Sequence, residues 1–559
     1  MSRSRTLLSV AALLWGSSVI VTAGWDQAPV PVRTEVAGAS SGDPAMFAPS
    51  SECLACHNNL VAPSGEDISI GASWRGSMMA NAARDPYFFA SVRREVLDHP
   101  SRQAHIEDEC AACHLPAAQK IARAGGSTGR VFAFAPRSDA VAQSALERLA
   151  VDGVSCTVCH QIARDRLGTP ESFNGNFVVA APRADGRRRV LGPYLPDPGR
   201  ARLMHSVTGF EQEEAPHIRE SEVCATCHTL ITEAFGQDGR VIGSLHEQKN
   251  YQEWQHSAFN KEERSCQSCH MPRAQGPVRA SSVLGDSRDQ LAQHVFVGGN
   301  AFMVRMLSRY RTELGVTALP SELESTARAT LHQLQNETAT IALGASQLHE
   351  RTLSFDVDVR NLTGHKFPTG YPSRRTWLHV TVRNRNDTVV FESGAVQDSG
   401  AIRGNDNDVD PARYEPHYEQ ISDPGEVQIY EPVLGNPAGG PTTGLLTATQ
   451  YLKDNRLLPR GFEKSTASPE IGVYGRASSD ADFTGGGDRT RYVVDVDGSG
   501  PYKIEAELRY QTIGYRWAHN LSDYNAAEPR QFLSYFRSMS SVSSVVIAAA
   551  STRTDQSPE

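Results

Sequence analysis

The sequence predicts an α+β chain of more than one domain. A loop-rich, mainly helical N-terminal region is followed by an antiparallel β-sandwich of immunoglobulin-like type. Three observations carry this. All 10 cysteines fall into five copies of Cys-x-x-Cys-His between Cys53 and His270. A helix-like stretch occupies 305–335. From about residue 337 the apolar period becomes two, the period of a half-buried strand. At 559 residues the chain can form two or three domains with their own cores. The net charge of -9 gives no basic signature, which excludes nucleic acid as a partner. A hydrophobic share of 39% fits a soluble globular chain.

Residues 1–23 read as an export signal. Arg3 and Arg5 form a positive n-region, Leu7 to Val21 is largely apolar, and Val21-Thr22-Ala23 predicts cleavage after Ala23. An uncleaved anchor is the competing reading, but the apolar run is shorter than the ~20 residues of a spanning helix. No cysteine follows the signal, which argues against a lipoprotein. Residues 24–50, rich in Pro, Ala, Ser and Gly, read as a flexible leader.

The five motifs carry the chemistry. Two cysteines three positions apart can form thioethers with both vinyl groups of a haem. The histidine that follows is then carried under the ring as an iron ligand. Zinc sites also use such pairs but do not need the adjacent histidine. Redox disulfides of this spacing usually occur singly. Five copies therefore predict five covalently attached haems c. The thioethers come from Cys53, Cys56, Cys110, Cys113, Cys156, Cys159, Cys224, Cys227, Cys266 and Cys269. The proximal ligands are His57, His114, His160, His228 and His270. With so little conventional core, the porphyrins themselves become the core of a domain spanning 51–304.

The second axial positions are less sharply marked. His294 sits beside Gly298 and Gly299, His217 precedes the fourth motif, and His205 lies in Leu-Met-His-Ser; all three are candidates. His105, His99, His246 and His256 are weaker ones. Methionine is an alternative ligand that raises the potential, and Met78 and Met79 follow the first motif. A methionine filling an apolar gap is the plain reading of either.

Three segments carry a family resemblance: Tyr251 to Ser257 with Ser265 to Pro272, Ser221 to Leu230, and Gly153 to Gln161. They resemble the multihaem, pentahaem-type c cytochromes of the c-552/4 group, over roughly 50–305. In that group a Trp-x-x-Ser-x-His motif often supplies a distal histidine. Here Trp74 leads to Met79 and Trp254 leads to Phe259 at the histidine position. The first departure favours Met79 as a ligand; the second carries nothing over. Asn361 to Gly370 contains a Gly-His-x-x-Pro-x-Gly segment, and similar segments occur in the β-domains of multihaem cytochromes. The resemblance and the tight loop make His365 a candidate ligand, with Arg374 and Arg375 available to haem propionates.

Beyond the motifs, 305–335 reads as a helical connector interrupted at Pro320, and 336–526 as the β-domain with long loops. Alternating runs begin at Thr338, Leu353, Thr376, Thr388, Tyr492 and Tyr502. Asp406, Asp408 and Asp410 could hold calcium, although a solvated acidic loop fits better. Residues 527–559 read as a final helix over 527–549 and a frayed tail.

The expected function is electron relay in the periplasm or outside the cell. The donor would be a quinol-linked membrane protein and the acceptor a periplasmic or extracellular redox protein. Peripheral membrane association is possible on this reading, and oligomeric state is open. The alternative is an oxidoreductase acting on a small nitrogen or sulfur compound at one open-faced haem.

Overall fold

The computed structural model describes residues 46–135, 144–498 and 500–554. The predicted signal peptide and most of the leader lie outside the described residues, as do the last five residues of the tail. Residues 46–50 are not leader-like. Phe47 and Ala48 are buried, and Ser50 Oγ bonds Asp152 at 2.6 Å. Ser41–Glu559 forms one compact unit. Among the described residues no helix is long and apolar enough to cross a membrane.

Helix and strand are mixed throughout. The motif region is built from short helices, and the strongest is Pro86–Asp98. Asp85 caps it by accepting from the N–H groups of Tyr87 and Phe88, and Pro86 fills the first turn. Strands also occur here, which the mainly helical expectation did not include. Thr229–Phe235 and Val241–Lys249 form an antiparallel pair, and Arg188–Gly192 pairs in parallel with Phe210–Glu214. The connector is two helices, Ala301–Arg309 and Pro320–Asn336. Pro320 opens the second helix rather than interrupting one, because a first-turn residue needs no N–H partner.

Each of the six predicted alternating runs lies on a strand. Two five-stranded sheets share one apolar core. The first runs Val389–Ser393, Arg375–Arg383, Lys503–Gln511, Ser544–Arg553, with Ile429–Tyr430 also on Arg375–Arg383. The second runs Gln420–Ile421, Gly487–Asp495, Thr352–Asn361, Ala339–Leu343, with Gln347–His349 also on Thr352–Asn361. Phe355, Val357, Val380, Val382, Ile504 and Leu508 meet between them. The Gln420–Ile421 pairing with Arg491 and Tyr492 is parallel, so the sheets are not wholly antiparallel. The predicted final helix stops at Arg537, and Ser544–Arg553 is a strand paired with Lys503–Gln511. Its Val-Val-Ile run is β-branched, which favours a strand over a helix.

Two surface expectations are corrected by ion pairs. Arg375 is buried and holds both carboxylate oxygens of Asp408 at 2.9 Å, so it is not free for a propionate. The same pairing buries Asp408, so the preferred reading of 406–410 as a solvated acidic loop does not hold there, and with Arg413 on Asp406 it occupies oxygens that a calcium ion would need.

A second buried polar cluster lies in the β-region. His417 Nε2 donates to Asp480 at 2.9 Å, while its Nδ1 accepts from Gln428 and Asn455 at 3.0 and 3.1 Å. Both amides are oriented by their other bonds, to Tyr418 N and to Ile429 O. His417 is therefore the neutral Nε2–H tautomer and a poor metal ligand. Beside it, burial pushes the Asp488 carboxyl up to about 7, despite bonds from Tyr430 and Gln428. Its folded value lies above the unfolded value near 4, so its contribution is full below about pH 4 and is lost as pH rises through 7. Asp488→Asn should therefore gain on the native chain between pH 5 and 8, by about 2–4 kcal/mol. Thermal melts at both pH values check this.

Candidate haem-binding cavity

Each motif starts on its own short helix: Ser50–Leu54, Gln103–His114, Cys156–Cys159, Ser221–His228 and Cys266–His270, with Cys56 and His57 in the turn after the first and His160 just after the third. The helical turn sets the two cysteines on one side and brings the histidine after them. All five motif histidines, and every motif cysteine except Cys56, line one continuous cavity. Its volume of about 1070 Å³ exceeds the roughly 300–1,000 Å³ of a pocket for one ligand. The cysteines form no disulfides.

The histidine ring nitrogens are sorted by backbone carbonyls. Nδ1 of His57 faces Ala280 O at 2.6 Å, and that of His160 faces Leu191 O at 2.6 Å. Nδ1 of His270 faces Val297 O at 2.6 Å, and that of His114 faces Ala82 O at 3.3 Å. Each Nδ1 donates its proton outward and leaves Nε2 as a free lone pair, the state a metal ligand needs. Burial holds His114 and His228 down to about 4, so both are neutral at physiological pH.

Two pairs have the spacing of a bis-imidazole site. The rings of His270 and His365 are 6.2 Å apart and 13° from parallel, and those of His160 and His294 are 6.4 Å apart at 20°. Two metal–nitrogen bonds of about 2 Å, plus about 1 Å from each nitrogen to its ring centre, give about 6 Å. His365 donates Nδ1 to Lys366 O at 2.8 Å and His294 to Ala292 O at 3.2 Å. Burial lowers His365 to about 4 and His294 to about 3. The residues present therefore fit haem c.

The loop carrying His365 is held from behind. Glu253, on Asn250–Gln255, accepts from Lys366 N at 3.1 Å and Thr369 Oγ1 at 2.7 Å, and pairs with Arg456 at 2.9 Å. Arg456 grips Asp454 at 2.9 and 2.8 Å, and Asp454 pairs with the wholly buried Lys366 Nζ at 2.7 Å. Gly370 adopts φ +84 in this loop, a left-handed turn that favours glycine. Arg374 lines the cavity and donates to Thr369 O at 2.7 Å.

The thiols also link the motifs. Cys53 lies within hydrogen-bonding reach of Cys156, Cys113 of Cys227, and Cys224 of Cys266. Cys159 is close enough to Cys227 to act on its charge. The first motif thus meets the third, the third approaches the fourth, and the fourth meets both the second and the fifth.

Other candidates are placed differently. His217 is buried with Nε2 on Ile162 O at 2.8 Å. It does not line the cavity, unlike its neighbours Ile218 and Arg219, which is where it departs from the axial position expected from its place before Cys224. His205 sits half-buried on Pro198–Thr208 and does not line the cavity, although its neighbour Met204 does. Met78 and Met79 both line it. His99 and His105 turn their rings to Phe235, His246 lies by Glu470, and His256 bonds Glu463 O at 3.1 Å. Sequence reasoning missed Glu253, Arg456 and Asp454. Lys366, a charge inside an otherwise apolar loop, was the one available signal.

No family model and no curated protein matches this chain. Among solved structures it is similar to a penta-heme cytochrome c552 from Thermochromatium tepidum. The TM-score is 0.53 at 17% identity, covering 91% of this chain and 100% of that one. This likeness shows a multihaem-cytochrome-like fold.

Proposed function

We propose that the chain is an exported c-type cytochrome that carries five covalently attached haems and relays electrons between redox partners. The partners would be a quinol-linked membrane donor and a periplasmic or extracellular acceptor. The observation that carries the reading is the two pairs of near-parallel histidines, 6.2 and 6.4 Å apart, each with its Nδ1 on a backbone carbonyl. Bound haems supply one-electron redox chemistry. The chain's own part is to fix the ligands, keep imidazoles neutral and exclude water.

Contacts between thiols of different motifs favour a branched order. A thioether sulfur is separated from the porphyrin ring by a single carbon, so neighbouring sulfurs would bring haem edges close. The fourth site is then the junction, and the first, second and fifth are the ends. The two packed sheets, read as an immunoglobulin-like domain, clamp the array through His365. The holoprotein should gain the mass of five haems and titrate in several one-electron steps, with low-spin signals from the His160 and His270 sites. A mass short of five haems, or high-spin signals from both those sites, overturns the reading.

A further inference from the structure

The wall of the cavity beside Cys110 differs in chemistry from the rest. Phe88 lies flat on the His114 ring, centroids 3.7 Å apart and 4° from parallel. One and two turns further along the same helix stand Ser91 and Glu95, with Tyr87 beside them, and all line the cavity. Glu247 reaches it from Val241–Lys249, and Tyr371 and Ser373 from the loop after His365. Tyr87 and Tyr371 meet edge to face at 5.7 Å, and the Tyr87 hydroxyl is within hydrogen-bonding reach of Ser91, Ser373 and Tyr371. Glu95 and Glu247 are each 5% exposed, and both are near enough to act on the Cys110 thiol. Glu95 is fixed by the N–H groups of Leu445 and Leu446 at 2.9 and 3.2 Å.

Among the described residues no histidine ring faces His114 at the spacing of the other two pairs, and His99 and His105 are turned to Phe235. We propose that the pocket walled by Tyr87, Ser91, Glu95, Glu247 and Tyr371 is a ligand site. It would admit a small neutral hydrogen-bonding molecule to the group held by Cys110, Cys113 and His114.

The selectivity follows from charge. The carboxyls facing the pocket are Glu95, Glu247 and Glu109; burial raises all three and pushes Glu247 up to about 8, so their full charge is expressed only in alkaline solution. The nearby cations hydrogen-bond outside the pocket. Arg94 binds Thr443 at 2.7 Å, and Lys120, close to Cys113, donates to Phe177 O at 3.1 Å. Of the arginines lining the cavity, Arg264 sits at Cys269 and Arg374 at Thr369. Arg219 packs on Tyr194 and Arg273 donates to Gln290 O. An anion buried against ionised carboxyls, with no cation pointed at it, is disfavoured. A neutral molecule meets phenols, hydroxyls and carboxyls that can bond it and exchange protons with it. This bears on the choice of substrate for any oxidoreductase activity: it argues against oxyanions.

The inference rests on the proposed attachment at Cys110 and Cys113, not on the relay. The test uses the five-haem holoprotein. Carbon monoxide is added to the reduced form, and imidazole or azide to the oxidised form at pH 9, with binding followed by visible and spin-resonance spectra. Carbon monoxide should bind at one or more sites per chain, and at the site that responds to Glu247→Gln imidazole should bind at least about tenfold more tightly than azide. Glu247→Gln should narrow that gap about tenfold, and Tyr371→Phe should weaken imidazole several-fold, with haem mass unchanged in both. A fully loaded chain blind to carbon monoxide overturns this inference alone. So does a preference for azide, or a gap that neither variant moves. A chain carrying no haem at Cys110 and Cys113 overturns the attachment as well.

Discussion

His365→Ala should convert one haem of the five from low spin to high spin while leaving the attached mass unchanged. The thioethers at Cys266 and Cys269 do not depend on His365, so attachment and ligation separate cleanly. The ring of His365 stands 6.2 Å from that of His270 with its Nδ1 bound to Lys366 O. Removing it leaves a gap that no other described histidine spans. His365→Met supplies a different ligand from the same loop. It should restore the low-spin signal and raise the potential of one step, because thioether ligation favours the reduced state. A spectrum unchanged in His365→Ala would place the partner of His270 elsewhere and remove the clamp between the β-domain and the motifs. Mutation of His294 offers the parallel experiment for His160 and should act on a different haem.

These two experiments probe features with different legibility. The histidines themselves could be read in the sequence, His365 from its glycine- and proline-bounded loop and His294 from the glycines that follow it. What could not be read is the partner of each. His365 meets His270 across 95 positions, and that meeting is set by how the β-region packs on the motif region. His217 shows the converse error. Nearness to Cys224 in sequence suggested ligation, yet the ring is buried outside the cavity wall. The strands were legible because period two survives wherever one face is buried. The last strand was missed because its continuous apolar run, Val545 to Ala550, carries no period of two and its alanines favour a helix. The branched meeting of thiols has no sequence signature at all, since Cys113 and Cys227 are brought together by separate helices.

Asp454→Asn should destabilise the protein by about 3–5 kcal/mol, the cost of stranding buried charges by removing one partner. Asp454 stands between Lys366 and Arg456, with Glu253 as the other carboxylate of the cluster. Without Asp454, two cations that are almost fully buried share one carboxylate. Burial by itself would push the Asp454 carboxyl up. Arg456 and Lys366 more than offset this and hold it well below its usual range. Its contribution is therefore present at neutral pH and lost as pH falls below the unfolded value near 4. The native protein should lose stability steeply below pH 4, and the variant less steeply, in denaturant melts at pH 7 and pH 3. Glu253→Gln separates packing from positioning. It keeps an acceptor for Lys366 N and Thr369 but breaks the ion pair to Arg456. Its low-spin signal at the His270 site should therefore broaden even at a denaturant concentration where the fold is intact. A cluster that only filled space would leave that signal unchanged in every folded variant.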